Sequence, residues 1–331
     1  DEVEILSGVR FGKSLGSPIA LLIRNLDWEN WKEIMAVELA AKEVEAVIKP
    51  RPGHADLAGA LKTGQRDIRN ILERASARET VARVVVGAVA KALLSELSIK
   101  IISHVLSIGL VEAKLKKFPE SDDLEAIDSS PVRCFDAKAS ELMVEEIEKA
   151  INDKDSLGGI FEVLAFGVPP GLGSYVSWDS RLDSAIAKAL MSIPGIKGVE
   201  IGDGFGLAAK KGSQAHDEIF YSREKGFFHK TNQAGGIEGG VTNGEPVVVR
   251  AAMKPIPTLG SPLRTVDIRT KKETQAFKER ADVCAVPSAA VVGETMLAIE
   301  IIRAILEKFG GDSLVELKRN YQAYLEGLRK F

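Results

Sequence analysis

TNQAGGIEGGVTNGEPVVVRAAMKPIPT, residues Thr231 to Thr258, places Gly235, Gly236, Gly239, Gly240 and Gly244 within ten residues and then runs into Val247–Val249 and Lys254–Thr258. Glycine loses more backbone entropy on folding than any other residue, so such a cluster marks positive φ angles or a backbone that something approaches closely. The three valines read as a strand. That strand leads to a cation, two prolines and a hydroxyl, a cradle suited to a phosphorylated ligand. Around this segment the strands come in antiparallel-looking pairs separated by helices, with no regular βαβ alternation. The expected fold class is therefore α+β, in a single large domain over residues 1–331.

The bulk composition narrows the function classes. Apolar residues make up 45% of the 331 and charged residues 27%, the profile of a globular protein. A net charge of -3 argues against a general nucleic-acid binder, which needs a basic surface. Cys134 and Cys284 are too few for a disulfide scaffold or a cysteine zinc site, so no metal is expected and a reducing cytoplasm is the natural compartment. The apolar stretch Val84–Leu94 is interrupted by Lys91 and falls short of the ~20 residues a membrane helix requires, so no membrane association is expected. The chain opens at Asp1 directly into a strand pattern, and a preceding N-terminal piece is expected.

Val3–Val9 and Ile19–Asn25 predict two strands joined across Gly12–Gly16. Asp27–Lys49 carries a charged helical pattern, and Arg51–Asp56 (RPGHAD) must be a loop because prolines and glycine crowd it. Arg78–Leu97 predicts a helix with Val81, Val84, Val85, Ala88, Ala92 and Leu93 on its apolar face. Ile99–Val111 and Gly158–Val168 read as strands, and His104 as a satisfied core residue. Asp136–Asp153 reads as a helix with Leu142, Ile147 and Ile151 inward, Ser180–Ile193 as another helix, and the region near Val199 and Phe205–Lys210 as strands. Ser288–Phe309 predicts a buried helix, and Asp312–Phe331 an amphipathic one capped by Asp312 or Ser313.

Three constellations carry chemistry. His54, beside Asp56 in a rigid loop, can act as a general acid, although a loop histidine without a role is the plainer reading of it alone. Arg66, Arg69, Arg74, Arg78 and Arg83 form a cationic run, with Arg74–Ala75–Ser76 suited to holding an anion. Pairing with Glu73 and Glu79 on a solvated face explains the same run equally well. Arg280 and Asp282 stand before an apolar element, as an ion pair or as a substrate clamp with an adjacent base. Gly202–Gly206 (GDGFG) is only a weak likeness of a dinucleotide fingerprint.

RPGHADL at 51–57, ERASARET at 73–80, SIPGIKGVEIGDGF at 192–205, AGGIEGGVTNGEP at 234–246, MKPIPT at 253–258 and RADVCAVP at 280–287 occur in one order. In that order and spacing the chain resembles the chorismate synthase family over essentially its whole length. The resemblance implies a β-α-β sandwich and a homotetramer. The implied reaction is the last common step of the shikimate pathway toward the aromatic amino acids. In it 5-enolpyruvylshikimate 3-phosphate loses phosphate and a C6 hydrogen by 1,4-anti elimination to give chorismate. Reduced FMN is needed without net redox change, and NADPH serves only to reduce the flavin. Matched position by position, the flavin contacts implied are Arg74, Ala75, Ser76, Pro194, Gly195, Gly239, Lys254, Pro255, Ile256, Pro257, Thr258 and Arg280. The implied catalytic residues are His54 and Asp282, and Arg74, Arg280 and His54 are the implied substrate contacts.

Two departures stand out. The family opens with a Gly-Glu-Ser-His-Gly type motif and an arginine-rich stretch that this sequence lacks; a truncated start is expected, and the 331 residues would be inactive only if they were the complete polypeptide. Trp31–Lys49 is also shorter than in the family, which suggests an absent loop. A flavin-dependent reductase consuming nicotinamide, or a phospholigand-binding assembly protein, are the competing readings.

Overall fold

The computed structural model describes residues 2–38, 44–115, 117–279 and 282–331. The chain divides into two compact units, Asp1–Val85 with Pro257–Ala281, and Val86–Ile256 with Asp282–Phe331. Both mix helices with antiparallel strands, as the α+β reading expects.

In the first unit Val3–Ser7 pairs antiparallel with Ala20–Ile23. A small core of Val47, Ala60, Ile68 and Leu72 is covered by Ile71, Ile268 and Phe277. Backbone bonds from Ile268 to Ile48 and from Phe277 to Lys49 bring the later segment back onto the stretch before RPGHAD. The helical pattern over Asp27–Lys49 yields only Trp28–Trp31 as helix. Residues 44–49 are not helical, and 39–43 lie outside the described residues. The strand-like segment 47–49 is instead drawn out by these pairings, which outweigh its local helical spacing.

The second unit is built on a five-stranded antiparallel sheet in the order Val111–Glu112, Lys100–Ile108, Gly159–Phe166, Val247–Met253, Ile196–Ile201. One face receives the helix Val286–Phe309, buried along most of its length as expected. The close approach is made at Gly293, where an added Cβ would stand 2.6 Å from Phe161. The opposite face gathers Ile102, Leu164 and Val248 around Ile127.

The helix Thr80–Ser95 turns a different stripe inward from the one its valines suggest. Gly87, Ala90 and Leu94 are buried, while Ala88 and Ala92 are exposed. Gly87 decides this, because a Cβ there would lie 2.1 Å from that of Thr295; the smallest residue lets the two helices meet. A similar shift affects Ala137–Asp153, whose inward residues are Ala139, Ser140, Met143 and Ala150, leaving Leu142 and Ile151 exposed. Phe205–Lys210 is not a strand: Phe205–Ala208 is a helical turn, and Gly204 precedes it at φ +48. That turn follows the strand Ile196–Ile201, yet at four residues it is too short to act as a dinucleotide-binding helix. The last helix, Leu314–Leu328, is capped by Ser313.

A charged row crosses the sheet at matched register, with His104 opposite Glu162 and Glu162 opposite Arg250. His104 Nε2 lies 3.0 Å from Glu162 Oε1, and Arg250 Nε donates to Glu162 Oε2 at 2.8 Å. His104 is fully buried as expected but only half satisfied, since its Nδ1 has no partner among the described residues. Burial pushes the Glu162 carboxyl up, but His104 and Arg250 outweigh it and hold it below the ordinary range.

Candidate active site

The RPGHAD loop organises the first unit through Arg51 rather than through His54 alone. Asp56 begins the helix Asp56–Thr63 and is 1% exposed. Its Oδ2 accepts from the Arg51 amide at 3.0 Å and from Arg51 Nε at 2.9 Å, while Oδ1 accepts from Arg51 Nη2 at 3.2 Å. Asp56 Oδ1 also lies 2.5 Å from His54 Nδ1. Burial by itself would raise the Asp56 carboxyl, yet the bonds from His54 and Arg51 and the guanidinium charge prevail and hold it far below the ordinary range. A carboxylate accepting from Nδ1–H fixes the imidazole orientation and tautomer, and Nε2, 3.5 Å from Arg51 Nη2, is the nitrogen that can exchange a proton with a ligand. His54 retains 16% side-chain exposure, enough for contact with a small molecule.

Arg51 also reaches the proline-stiffened end of the opening segment. Its Nη1 donates to Thr258 Oγ1 at 2.9 Å and lies 3.7 Å from Glu279 Oε2. The structure thus joins His54 and Thr258, two residues assigned separately to catalysis and to flavin, through one buried guanidinium. Arg51 was missed in the sequence because its partners lie across an irregular loop and 207 residues away. The available signal was a cation, a histidine and a carboxylate within one rigid hexapeptide.

Most of the arginine run resolves as ion pairs. Arg69 and Arg78 hold Glu73 at 3.4 and 3.0 Å, and Arg83 holds Glu79 at 2.7 Å. Arg74 differs. It is exposed, and among the described residues no ion pair or hydrogen bond engages its guanidinium. Beside it, Ser76 Oγ accepts from the Arg78 amide and caps the turn Ala77–Glu79. Arg66 is likewise exposed with no ion pair or hydrogen bond among the described residues, so the run offers two guanidiniums to an external anion, and only Arg74 stands beside the small residues Ala75 and Ser76.

In the second unit the glycine-rich segment separates into two parts. All five of its glycines have positive φ. A Cβ on Gly235 would lie 2.3 Å from the Gly202 amide, on Gly236 2.5 Å from the Pro246 carbonyl, and on Gly240 2.6 Å from Arg181. Gly244 packs 3.5 Å from Pro170 by the same measure. These four serve the chain's own packing. Gly239, at the tip of the hairpin pairing Ile237–Glu238 with Val241–Thr242, meets nothing within 4 Å and is where something else can approach. His229 is half-buried, with Glu245 Oε1 3.5 Å from Nδ1 and Glu238 Oε2 3.8 Å from Nε2.

Elsewhere in the second unit the Lys254 amide donates to the Gly195 carbonyl at 3.0 Å, so two expected flavin contacts share one turn. Asp282 is exposed ahead of the helix Val286–Phe309, and Arg280 lies outside the described residues. An open groove of about 630 Å³ between Glu96, Lys318 and Tyr321 holds none of the expected site residues. Among the described residues no helix is long and apolar enough to cross a membrane, and no cluster of three or more metal-ligating side chains occurs.

The chain is similar to known proteins over its length. The chorismate synthase family profile matches residues 1–306. The chorismate synthase of Desulforudis audaxviator (strain MP104C) is 57% identical over 330 residues, covering 99% of this chain and 85% of that protein. That of Aquifex aeolicus (strain VF5) is 56% identical over 340 residues, covering all of this chain and 85% of its own length. A crystal structure of chorismate synthase matches with a TM-score of 0.81 at 47% identity, over 99% of this chain and 85% of that one.

Proposed function

The chain belongs to the chorismate synthase family of lyases, and we propose that it eliminates phosphate from C3 and a hydrogen from C6 of 5-enolpyruvylshikimate 3-phosphate to give chorismate. The observation that carries the reading is the Arg51–His54–Asp56 cluster. It holds an imidazole in fixed orientation on a buried ion pair, and a departing phosphate needs such a proton donor. His54 Nε2 delivers the proton, while Asp56 and Arg51 keep the ring in place.

Each unit by itself presents residues suited to FMN. Gly239 leaves open space at a hairpin tip, Arg74 presents a guanidinium with no partner among the described residues, and Lys254 stands at the Gly195 turn. We assign Arg74, Ala75, Ser76, Pro194, Gly195, Gly239, Lys254–Thr258 and Arg280 to flavin binding, with Arg74 and Arg280 also serving the substrate. A reduced flavin held by these residues would supply transient electron donation to the substrate, with no net redox change. Asp282 assists removal of the C6 proton. NADPH enters only as the source of flavin reduction, the protein works in the cytoplasm, and it assembles as a homotetramer.

Anaerobic incubation with reduced FMN and 5-enolpyruvylshikimate 3-phosphate tests the reading. Phosphate release without stoichiometric loss of reductant is expected. Stoichiometric nicotinamide consumption would favour a reductase, and no turnover with tight phospholigand binding would favour a non-catalytic role.

A further inference from the structure

The hairpin that carries Gly239 is bounded by two carboxylates, Glu238 at the end of its first strand and Glu245 just past its second. Asn243 knits them together: its Nδ2 donates to Glu238 Oε2 at 3.1 Å, and its Oδ1 accepts from the Glu245 amide at 3.0 Å. His229, the last residue of the strand Gly226–His229, faces both. Its amide donates to Glu245 Oε1 at 2.8 Å, its Nδ1 lies 3.5 Å from that same oxygen, and its Nε2 lies 3.8 Å from Glu238 Oε2. Among the described residues neither carboxylate has a lysine or arginine as partner.

Although His229 is half-buried as a whole, its side chain is 8% exposed and neither ring nitrogen has a hydrogen-bond partner among the described residues. A neutral imidazole has one N–H and one lone pair, so one of its nitrogens would turn a lone pair toward a carboxylate. Only the imidazolium offers a donor to each, and a small closing of the two gaps makes both bonds charge-assisted. A third carboxylate stands near. Burial pushes the Asp217 carboxyl up, but bonds from Thr231 and from the Ala234 and Gln233 amides, with the charge of His229, hold it below the ordinary range. The neighbouring Lys225 and Lys230 lie over the rings of Phe228 and Phe220, at 5.4 and 3.8 Å, and neither pairs with these carboxylates.

We propose that His229 is a positioning residue for flavin binding: doubly protonated, it clamps Glu238 to Glu245 and holds the Gly239 tip in the shape that receives the cofactor. Loss of one proton leaves two carboxylates facing a ring that can satisfy only one of them, and the tip loosens. The contribution of His229 to FMN affinity is therefore present in acid and lost as pH rises through the imidazole range. His229 acts through the hairpin rather than by contact, and the inference rests on the assignment of Gly239 to the flavin site.

The test measures binding of oxidised FMN, by quenching of its fluorescence, at about pH 5.5 and about pH 8.5 for the full chain, H229Q, H229K and E238Q. The FMN phosphate titrates in the same range, so each variant is compared with the unaltered chain at the same pH. H229Q is expected to bind about fivefold or more weakly at the acid end and within about twofold at the alkaline end, the low end of coupling between linked sites. H229K, a cation at both pH values, should match the unaltered chain in acid and exceed it in alkali. E238Q, at a half-exposed side chain, removes the carboxylate facing Nε2; its affinity should follow the pH dependence of H229Q, which keeps the test open if H229Q misfolds. Equal weakening by H229Q at both pH values would leave His229 a packing role only, and no weakening at either would leave it none; each overturns the proposal. Hydrogen exchange over Ile237–Thr242 in flavin-free protein separates two ways of failing. Protection that falls with pH in the unaltered chain but not in H229Q, beside an FMN ratio that does not change, would take Gly239 out of the flavin site. Protection indifferent to His229 would overturn the hairpin role and leave the flavin assignment standing.

Discussion

Replacing Asp56 with Asn probes the Arg51–His54 cluster without changing its shape. Asp56 accepts four bonds, three from Arg51 and one from His54. Asn keeps one acceptor oxygen, and its amide nitrogen must face either the guanidinium or the imidazole N–H, a donor against a donor. At least two charge-assisted bonds are lost, each about 1.5–3 kcal/mol, and Arg51 is left at 7% side-chain exposure without its close counter-charge. Breaking a buried ion pair costs about 3–5 kcal/mol. Glu279 remains 3.7 Å from Arg51 and offsets part of this, which places the expected loss near the lower end, about 3 kcal/mol. That corresponds to more than ~100-fold in the folding equilibrium at ~1.4 kcal/mol per tenfold. Urea unfolding measures it, and phosphate release should fall alongside because His54 loses its orientation. A loss below about 1 kcal/mol would refute the reasoning, since Arg51 would then be compensated elsewhere.

His54→Ala should slow phosphate release by about 10²–10⁴-fold while leaving FMN affinity within a factor of a few; unchanged turnover would remove His54 from the mechanism. Glu294→Ala should destabilise the second unit by about 3–5 kcal/mol in urea unfolding. It deprives Lys91 and Arg133 of the buried carboxylate they meet at 2.5 and 2.9 Å, and Arg133 keeps only its ion pair with Asp128, which places the loss at the lower end. An unaltered midpoint would mean that these cations find other partners. Acid should destabilise the protein more steeply than ordinary carboxylates would allow. Asp56 and Glu162 are held below their ordinary values of 3.8 and 4.5 in the folded state, so the unfolded chain takes up protons first as pH falls. Their stabilisation is complete above about pH 5 and is lost progressively below those values; a flat stability profile from pH 5 to 3 would count against both shifts.

Much of this was legible because it was local. RPGHAD could only be a loop, and a carboxylate two residues from a histidine has few other places to point. The glycine run announced positive φ, and five positive φ angles are found. What sequence could not supply was allocation. Four glycines are used to pack Gly202, Pro246, Arg181 and Pro170, and only contacts distant in sequence reveal that Gly239 is left open. Arg51 was passed over because Thr258 is invisible from residue 51. Helix faces failed where small residues carried the contact: Gly87 and Ala90 contribute little to an apolar stripe, yet they set which side meets Thr295. The misassigned strand at Phe205–Lys210 is a short exposed turn, too brief for either period to be distinguished.

The charged row across the sheet bears on how the chain finds its fold. His104 meets Glu162 58 residues on, and Glu162 meets Arg250 a further 88 on, so these strands must be recruited over long loops. Such non-local pairing is slow, and valine-rich strands are indifferent to small shifts in alignment. A slip of one residue would turn Glu162 toward the long helix and Gly293, and Phe161 and Val163 away from it, with neither cation beside the carboxylate. Every misaligned sheet thereby carries a lone buried carboxylate, and only one alignment relieves it. The row acts as a ruler laid across the assembling strands, rejecting wrong registers before the core closes over them.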